Sequence, residues 1–135
     1  MTVLSGSLVI AFGVFLTALA ALSTMKPQLA ERFLKSFASS ARAHYFEQVL
    51  RLIAGGALVM FAPSMWHSRL FELFGWLIAG TAVALLVTPW QWHQKLGTWM
   101  IPLVIRHLRI FALGAFALGM LLFYGVSRVV PLRNL

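Results

Sequence analysis

The chain has 135 residues, of which 61% are hydrophobic and only 10% are charged. A soluble domain carries about 25% charged residues, and a chain this short cannot bury so much apolar surface in one globular core. The composition therefore excludes an ordinary soluble domain and predicts one all-α integral membrane domain over residues 1–135.

The net charge is +8, from 11 Lys and Arg residues against 3 acids, and the chain has no cysteine. The basic residues flank apolar runs, as in membrane proteins that contact anionic lipid headgroups, so we expect the lipid bilayer and not nucleic acid as a partner. The lack of cysteine excludes disulfides, thiol catalysis and Cys-ligated metals. The four histidines show no ligand spacing, so neither a metal nor another cofactor is predicted.

Four apolar runs predict four transmembrane helices, since a helix needs about 20 mostly apolar residues to cross the hydrocarbon core. The first run precedes Lys26 and has no basic residue at its start, which favours a retained helix over a cleaved signal. The second begins near Glu47, with Arg51 reaching the interface, and Pro89 ends the third. The predicted spans are about 3–23, 48–66, 71–89 and 108–127.

A basic segment at about 27–46 joins the first two spans. Apolar residues recur every four positions from Leu29 to Ala41, with charged side chains between them. This pattern is typical of an amphipathic helix that lies in the headgroup plane. The alternative interpretation is an extension of the second span that packs on the bundle.

A second basic segment, at about 90–105, joins the last two spans and contains Trp90, Trp92 and Trp99. Tryptophan concentrates at the membrane–water boundary. The uncharged stretch around Pro102 is too short to cross a bilayer, so we expect a broken segment that lies at the interface or re-enters slightly.

The distribution of Lys and Arg predicts the orientation, because cytoplasmic connections carry an excess of them. Of the 11 such residues, Arg69, Arg128 and Arg133 lie at one end of the predicted topology, and the other eight lie in or beside the two basic segments. We therefore expect a bacterial inner-membrane protein with cytoplasmic basic connections and both termini outside.

The stretches around Arg51 and Arg109 are alike, because each runs from a basic residue through apolar residues to a cluster of small ones. This likeness predicts two repeated helical hairpins related by an axis along the membrane normal, with chance similarity of apolar helices as the alternative. Small residues at four-residue spacing also predict close helix packing, within the chain or between subunits. The predicted packing residues are Gly13, Thr17, Ala21, Gly55, Gly56, Gly80, Ala84, Ala115 and Gly119.

The place where the two basic segments meet is the expected functional site, for lipid or a partner protein. Glu47 and Arg51 are four residues apart and can pair, whereas Arg109 has no such local acid and Glu47 is the acid to test for it. Arg69 and Glu72 are expected to pair with each other. The candidate binding residues are Arg42, His44, Glu47, Arg51, Trp92, His93, Arg106, His107 and Arg109.

Arg42, His44 and Glu47 resemble part of the loop motif of the small four-helix membrane enzymes that conjugate glutathione. Where that motif has asparagine and glutamate, this chain has Phe46 and Val49. The resemblance implies a lipid- or glutathione-handling enzyme, but no catalytic residues are predicted.

Three functional hypotheses follow from these features. The first is a non-catalytic accessory, assembly or structural subunit of a larger membrane complex, indicated by the small-residue helix faces and the scarcity of ionisable groups in the spans. The second is a small oligomeric transporter or channel for a lipid-like or hydrophobic substrate, indicated by the repeat. The third is the small membrane enzyme.

Overall fold

The computed structural model describes residues 2–37 and 39–129. This part of the chain is all-helical, with a 3-10 turn, Ala62–Ser64, after the third helix. The α-helices are α1 (Thr2–Met25), α2 (Pro27–Phe37), α3 (Ala41–Phe61), α4 (Ser68–Val87), α5 (Trp90–Arg106) and α6 (Leu108–Ser127). Four of them, α1, α3, α4 and α6, are long and apolar enough to cross a membrane, which confirms the predicted all-α class with four long apolar helices.

The four long helices pack as antiparallel neighbours in the spatial order α4, α3, α1, α6. The end of the bundle at which α1 and α4 end and α3 and α6 begin also carries α2 and α5, and we call it the basic end. The opposite end, with the turn between α3 and α4, is the hairpin end. Both connecting helices with their Lys and Arg residues thus lie at one end of the bundle.

Helices α3 and α4 approach each other closely at a glycine. A Cβ atom on Gly55 would lie 2.7 Å from the backbone nitrogen of Ala79 and 2.8 Å from the carbonyl oxygen of Gly75. Because small residues let helix backbones come together where lipid offers no hydrophobic drive, this contact stabilises the α3–α4 pair.

Helices α1 and α6 also approach each other closely at a glycine. A Cβ atom on Gly119 would lie 2.7 Å from Cγ2 of Thr17 and 3.0 Å from the carbonyl oxygen of Gly13. A small cluster of Ala20, Ala112 and Ala115 continues this interface toward the basic end. Five predicted packing residues, Gly13, Thr17, Gly55, Ala115 and Gly119, therefore lie at contacts within the chain.

The other four predicted packing residues take no part in close contacts within the described chain. A Cβ atom on Gly56 or Gly80 would meet nothing within 4 Å. Ala21 and Ala84 are exposed. On α4 the packed pair is Gly75 and Ala79, on the side opposite Gly80, so the predicted face of this helix is the one that points away from α3.

The main apolar core lies toward the hairpin end, where all four long helices converge. It consists of Val9, Ala57, Leu58, Phe61, Ala62, Met65, Phe71 and Leu122. The large buried polar side chains, His44 and Gln48, lie at the basic end, whereas the hairpin end buries only the small hydroxyl side chains of Ser5 and Ser64 among the described residues.

Helix α3 begins before the predicted start of the second span. Ser40 accepts a hydrogen bond from the Ala43 backbone N–H and caps α3, so the helix begins at Ala41. Residues 41–46 therefore continue the long helix α3, which agrees with the alternative interpretation of this segment. Helix α2 covers the first part of this segment and is amphipathic, as predicted.

The expected break at Pro102 is wrong, because α5 continues from Trp90 to Arg106 through that residue. Proline has no N–H to bond the carbonyl four residues earlier, here that of Thr98. Pro102 is exposed, so its ring projects away from the rest of the bundle.

Candidate functional site

Polar groups from three helices meet inside the basic end of the bundle: side chains of α3 and α5 and a backbone carbonyl of α4. His44 and Gln48 of α3 are buried, with exposed fractions of 1% and 0%. They lie one turn apart on the face of α3 that also carries Gly55, because residues 4 and 11 positions apart project in similar directions from a helix. The face of α3 that packs on α4 therefore carries polar side chains near the basic end of the bundle.

His44 joins α3 to both α4 and α5. Its Nε2 atom lies 3.1 Å from the carbonyl oxygen of Leu85 in α4, and its Nδ1 atom lies 2.7 Å from Nδ1 of His93 in α5. A carbonyl only accepts hydrogen bonds, so Nε2 of His44 is the donor. The Nδ1 atom of a neutral His44 then accepts, and Nδ1–H of His93 donates.

This geometry limits the charge of the histidine pair. Two imidazolium rings would direct two Nδ1–H groups at each other across 2.7 Å, so the pair carries at most one extra proton. In the arrangement above, Nδ1 of His93 is already a donor and its Nε2 remains free to bind a proton.

Burial lowers the pKa of His93, which lies on α5 outside the four long helices. The charge of Glu47 opposes this effect and raises the pKa, while His44 and Arg51 lower it further. Because the normal value is 6.5, His93 is predominantly neutral at neutral pH.

Glu47 and Arg51 form the ion pair expected from their spacing, with Nη2 of Arg51 2.6 Å from Oε1 of Glu47. Glu47 therefore pairs with Arg51 within α3 and not with Arg109, whose side chain is exposed. In residues 2–37 and 39–129 the other ion pair joins Lys35 to Glu31. The expected pair between Arg69 and Glu72 does not form, and both side chains are exposed.

Four buried polar atoms near this site have no hydrogen-bond partner among the described residues. They are Oε1 and Nε2 of Gln48, Oε2 of Glu47 and Oγ of Ser23. Gly6 of α1 lies against the ring of Phe61 in α3, so the antiparallel register places Ser23 at about the level of His44. Buried polar atoms are almost always paired, so these are positions for water or for the polar groups of a ligand.

A groove of about 450 Å³ lies beside His93, between α4 and α5. Its walls are mostly apolar, and Lys95 is the charged residue among those that line it. The lining residues are Leu85, Thr88, Trp92, His93, Lys95, Leu96 and Trp99. An amphiphile with an acidic head group matches this combination of apolar walls and positive charge.

The two basic segments do meet, because α5 contacts both α2 and α3. Of the predicted site residues, His44, Glu47, Arg51, Trp92 and His93 lie in or beside the polar cluster and the groove. The other four predicted residues lie outside both the polar cluster and the groove, and all four are exposed: Arg42, Arg106, His107 and Arg109.

His107 lies at the junction of α5 and α6, where its Nδ1 atom is 3.1 Å from the Leu103 carbonyl oxygen. Arg42 points outward while His44 is buried against Leu85, so the residues of the glutathione-enzyme resemblance form no common site. Sequence reasoning missed Gln48 and Ser23. A signal for Gln48 existed, because it is polar and lies one turn after His44 on one helix face.

Among the described residues, no three His, Asp or Glu side chains are grouped as metal ligands would be. No protein-family model matches the chain, and neither a curated protein nor a solved structure matches it.

Proposed function

We propose that this chain is a non-catalytic subunit of a larger assembly in the bacterial inner membrane, bound to its partner through the outward face of α4. The observation that carries the proposal is the position of Gly80 and Ala84. They lie one turn apart, and a Cβ atom on Gly80 would meet nothing within 4 Å. Ala84 is exposed.

A pair of small residues one turn apart lets a second helix approach closely in lipid. On α4, Gly75 and Ala79 already serve this purpose toward α3, so the pair on the opposite face is available to another chain. Helix α4 also buries 17% of its apolar stretch, a smaller share than the other three long helices. These features favour a partner helix on α4, from a second copy or from a different subunit.

A single chain offers no continuous polar route for a substrate among its described residues. The polar cluster is confined to the basic end, and the interior toward the hairpin end is filled by side chains such as Val9, Leu58, Phe71 and Leu122. The packing of the core therefore supports the subunit over the transporter.

The internal repeat is part of this proposal, and the glycine contacts support it. In the α3–α4 pair, Gly55 faces two small residues one turn apart, and in the α1–α6 pair Gly119 faces Gly13 and Thr17 in the same way. If α1 and α3 correspond to α4 and α6, the two contacts join equivalent pairs of helices, but the alignment of Arg51 with Arg109 places Leu113, and not Gly119, at the position of Gly55.

Purification of the tagged chain in mild detergent tests the proposal. We expect the wild-type chain to elute with further copies or with another subunit in a fixed ratio. Gly80→Leu should reduce that ratio at least several-fold, because the new side chain blocks the close approach. Gly56→Leu is the matched control, since this glycine also faces open space but on α3.

Single cysteines locate the contact directly, because the chain has none of its own. We expect Ala84→Cys to cross-link to a partner in the membrane and the exposed Ala18→Cys on α1 to cross-link far less. A wild-type chain that elutes as a lone monomer, or equal cross-linking at both positions, contradicts the proposal.

A further inference from the structure

The groove between α4 and α5 has the chemistry of an acid-binding site on an apolar wall. Leu85 and Leu96 supply aliphatic surface, Trp92 and Trp99 supply indole rings, and Lys95 supplies a positive charge. No acidic residue lines it. The groove lies at the basic end of the bundle, beside the last turn of α4, where lipid headgroups are expected.

His93 gives this groove a second, conditional charge. Its Nδ1 atom is held by His44, and its Nε2 atom is the ring nitrogen left for the groove. A proton taken from water by Nε2 leaves the Nδ1–H bond to His44 intact. Protonation of His93 therefore adds a positive charge beside Lys95 without breaking the contact between α3 and α5.

We propose that this groove binds one anionic phospholipid, with its phosphate between Lys95 and His93 and an acyl chain along Leu85 and Leu96, and that binding is coupled to protonation of His93. The positive lining and the position at the end of the apolar helices argue for a lipid with a net negative charge. The inference is independent of the contact proposed for Gly80 and Ala84, which lies on another face of α4.

The direction of the pH dependence follows from the charges around His93. In the free protein its pKa is lowered, first by burial and also by His44 and Arg51, whereas Glu47 raises it. Glu47, Arg51 and His44 belong to α3, Lys95 belongs to α5, and α4 presents the Leu85 carbonyl. A bound phosphate adds a negative charge and raises the pKa of His93. The pKa is therefore higher in the lipid-bound protein than in the free protein, and the affinity for the lipid increases as the pH falls through the interval between these two values.

Tryptophan quenching in lipid nanodiscs tests this inference. A variant with Trp66→Phe, Trp76→Phe and Trp90→Phe retains Trp92 and Trp99 as reporters at the groove. The discs contain phosphatidylcholine with a small fraction of brominated phosphatidylglycerol or brominated phosphatidylcholine, and quenching is compared at pH 8 and pH 5.5. We expect the anionic lipid to quench more strongly, and its preference to rise about fivefold at pH 5.5, the contribution of one added charge near the headgroups.

Three further variants identify the groups responsible. His93→Gln should abolish the pH dependence but retain the preference at pH 8, and Lys95→Gln should lower the preference about fivefold at both pH values. Arg106→Gln, which removes an exposed charge of the same helix outside the groove, should change little.

Equal quenching by the two brominated lipids would overturn the site. A pH dependence that persists in His93→Gln, or an equal loss in Arg106→Gln, would overturn the assigned residues. Displacement of the lipid signal by millimolar inorganic phosphate would show recognition of phosphate itself and would also overturn the lipid assignment.

Discussion

At the scale of single residues, the bundle depends on a few positions where only hydrogen fits. Gly55 lies against backbone atoms of α4, and backbone cannot move aside as a flexible side chain can. Gly56 is the next residue and faces open space. Neighbouring glycines in one helix therefore have different structural importance.

Gly55→Ala should destabilise the folded chain by about 1–3 kcal/mol, the typical cost of overpacking, because the new methyl forces α3 and α4 apart. Gly56→Ala should have no destabilising effect, since alanine is the better helix former and its Cβ meets nothing. Thermal unfolding in detergent, followed by circular dichroism, measures both. Similar losses of stability in the two variants would show that the contact at Gly55 is unimportant.

Gln48 raises a second question at this scale, because its amide is fully buried without a partner in the described chain. If these atoms are unpaired, Gln48→Met should stabilise the fold by about 1–3 kcal/mol, since it removes the cost of an unsatisfied polar group at similar volume. Gln91→Met, at an exposed position, is the control. A loss of stability in Gln48→Met would instead show that water or a ligand bonds this amide.

At the scale of elements, α5 is the helix with the weakest hold on the bundle. None of its residues is fully buried. Among the described residues, the hydrogen bond between His93 and His44 is the one that joins α5 to a long helix. The helix that lines the groove is therefore attached to α3 through the same side chain that we assign to phosphate binding.

His93→Ala should loosen α5, because the hydrogen bond to His44 is lost. We expect faster amide hydrogen exchange over 90–106, with little change in α3 and α4, since local opening is governed by the contacts of the segment itself. Arg106→Ala on the same helix should leave exchange as in the wild type. Unchanged exchange in His93→Ala would mean that other contacts hold α5 in place.

The sequence predicted the long helices better than the faces they use. Uncharged runs between basic residues were enough to find four long apolar helices. The packed face of α4 was not predictable, because both faces carry a glycine and an alanine one turn apart: Gly75 with Ala79, and Gly80 with Ala84. Likewise His44 and His93 were both candidate residues, but only the docking of α5 on α3 determines that they touch.

At the scale of the whole molecule, the two ends of the bundle are chemically unequal. The basic end carries α2, α5 and the polar cluster, and the hairpin end carries the apolar core and the short turn after α3. This inequality supports the proposed orientation, with the basic end in the cytoplasm. Arg133, one of the residues counted for the opposite side, lies outside the described residues.

Single-cysteine labelling tests the orientation, because the chain has no native cysteine. Ser39→Cys lies between α2 and α3 at the basic end, and Ser127→Cys lies at the end of α6, and both positions are exposed. In intact spheroplasts a membrane-impermeant maleimide should label Ser127→Cys and should reach Ser39→Cys only after lysis. The reverse pattern would place the basic end outside.

The pairing of α1 with α6 affects how the chain is made. Helices α3 and α4 are consecutive spans joined by a short turn, so their contact at Gly55 can form while the ribosome is still synthesising the chain. The partner of α1 is the last helix of the described part, and the Gly13–Thr17 face has no α6 to cover it until residues beyond Leu108 have been translated. During synthesis this face is open to lipid, to the insertion machinery or to a second nascent chain, and completion of the bundle is a late, post-insertion event.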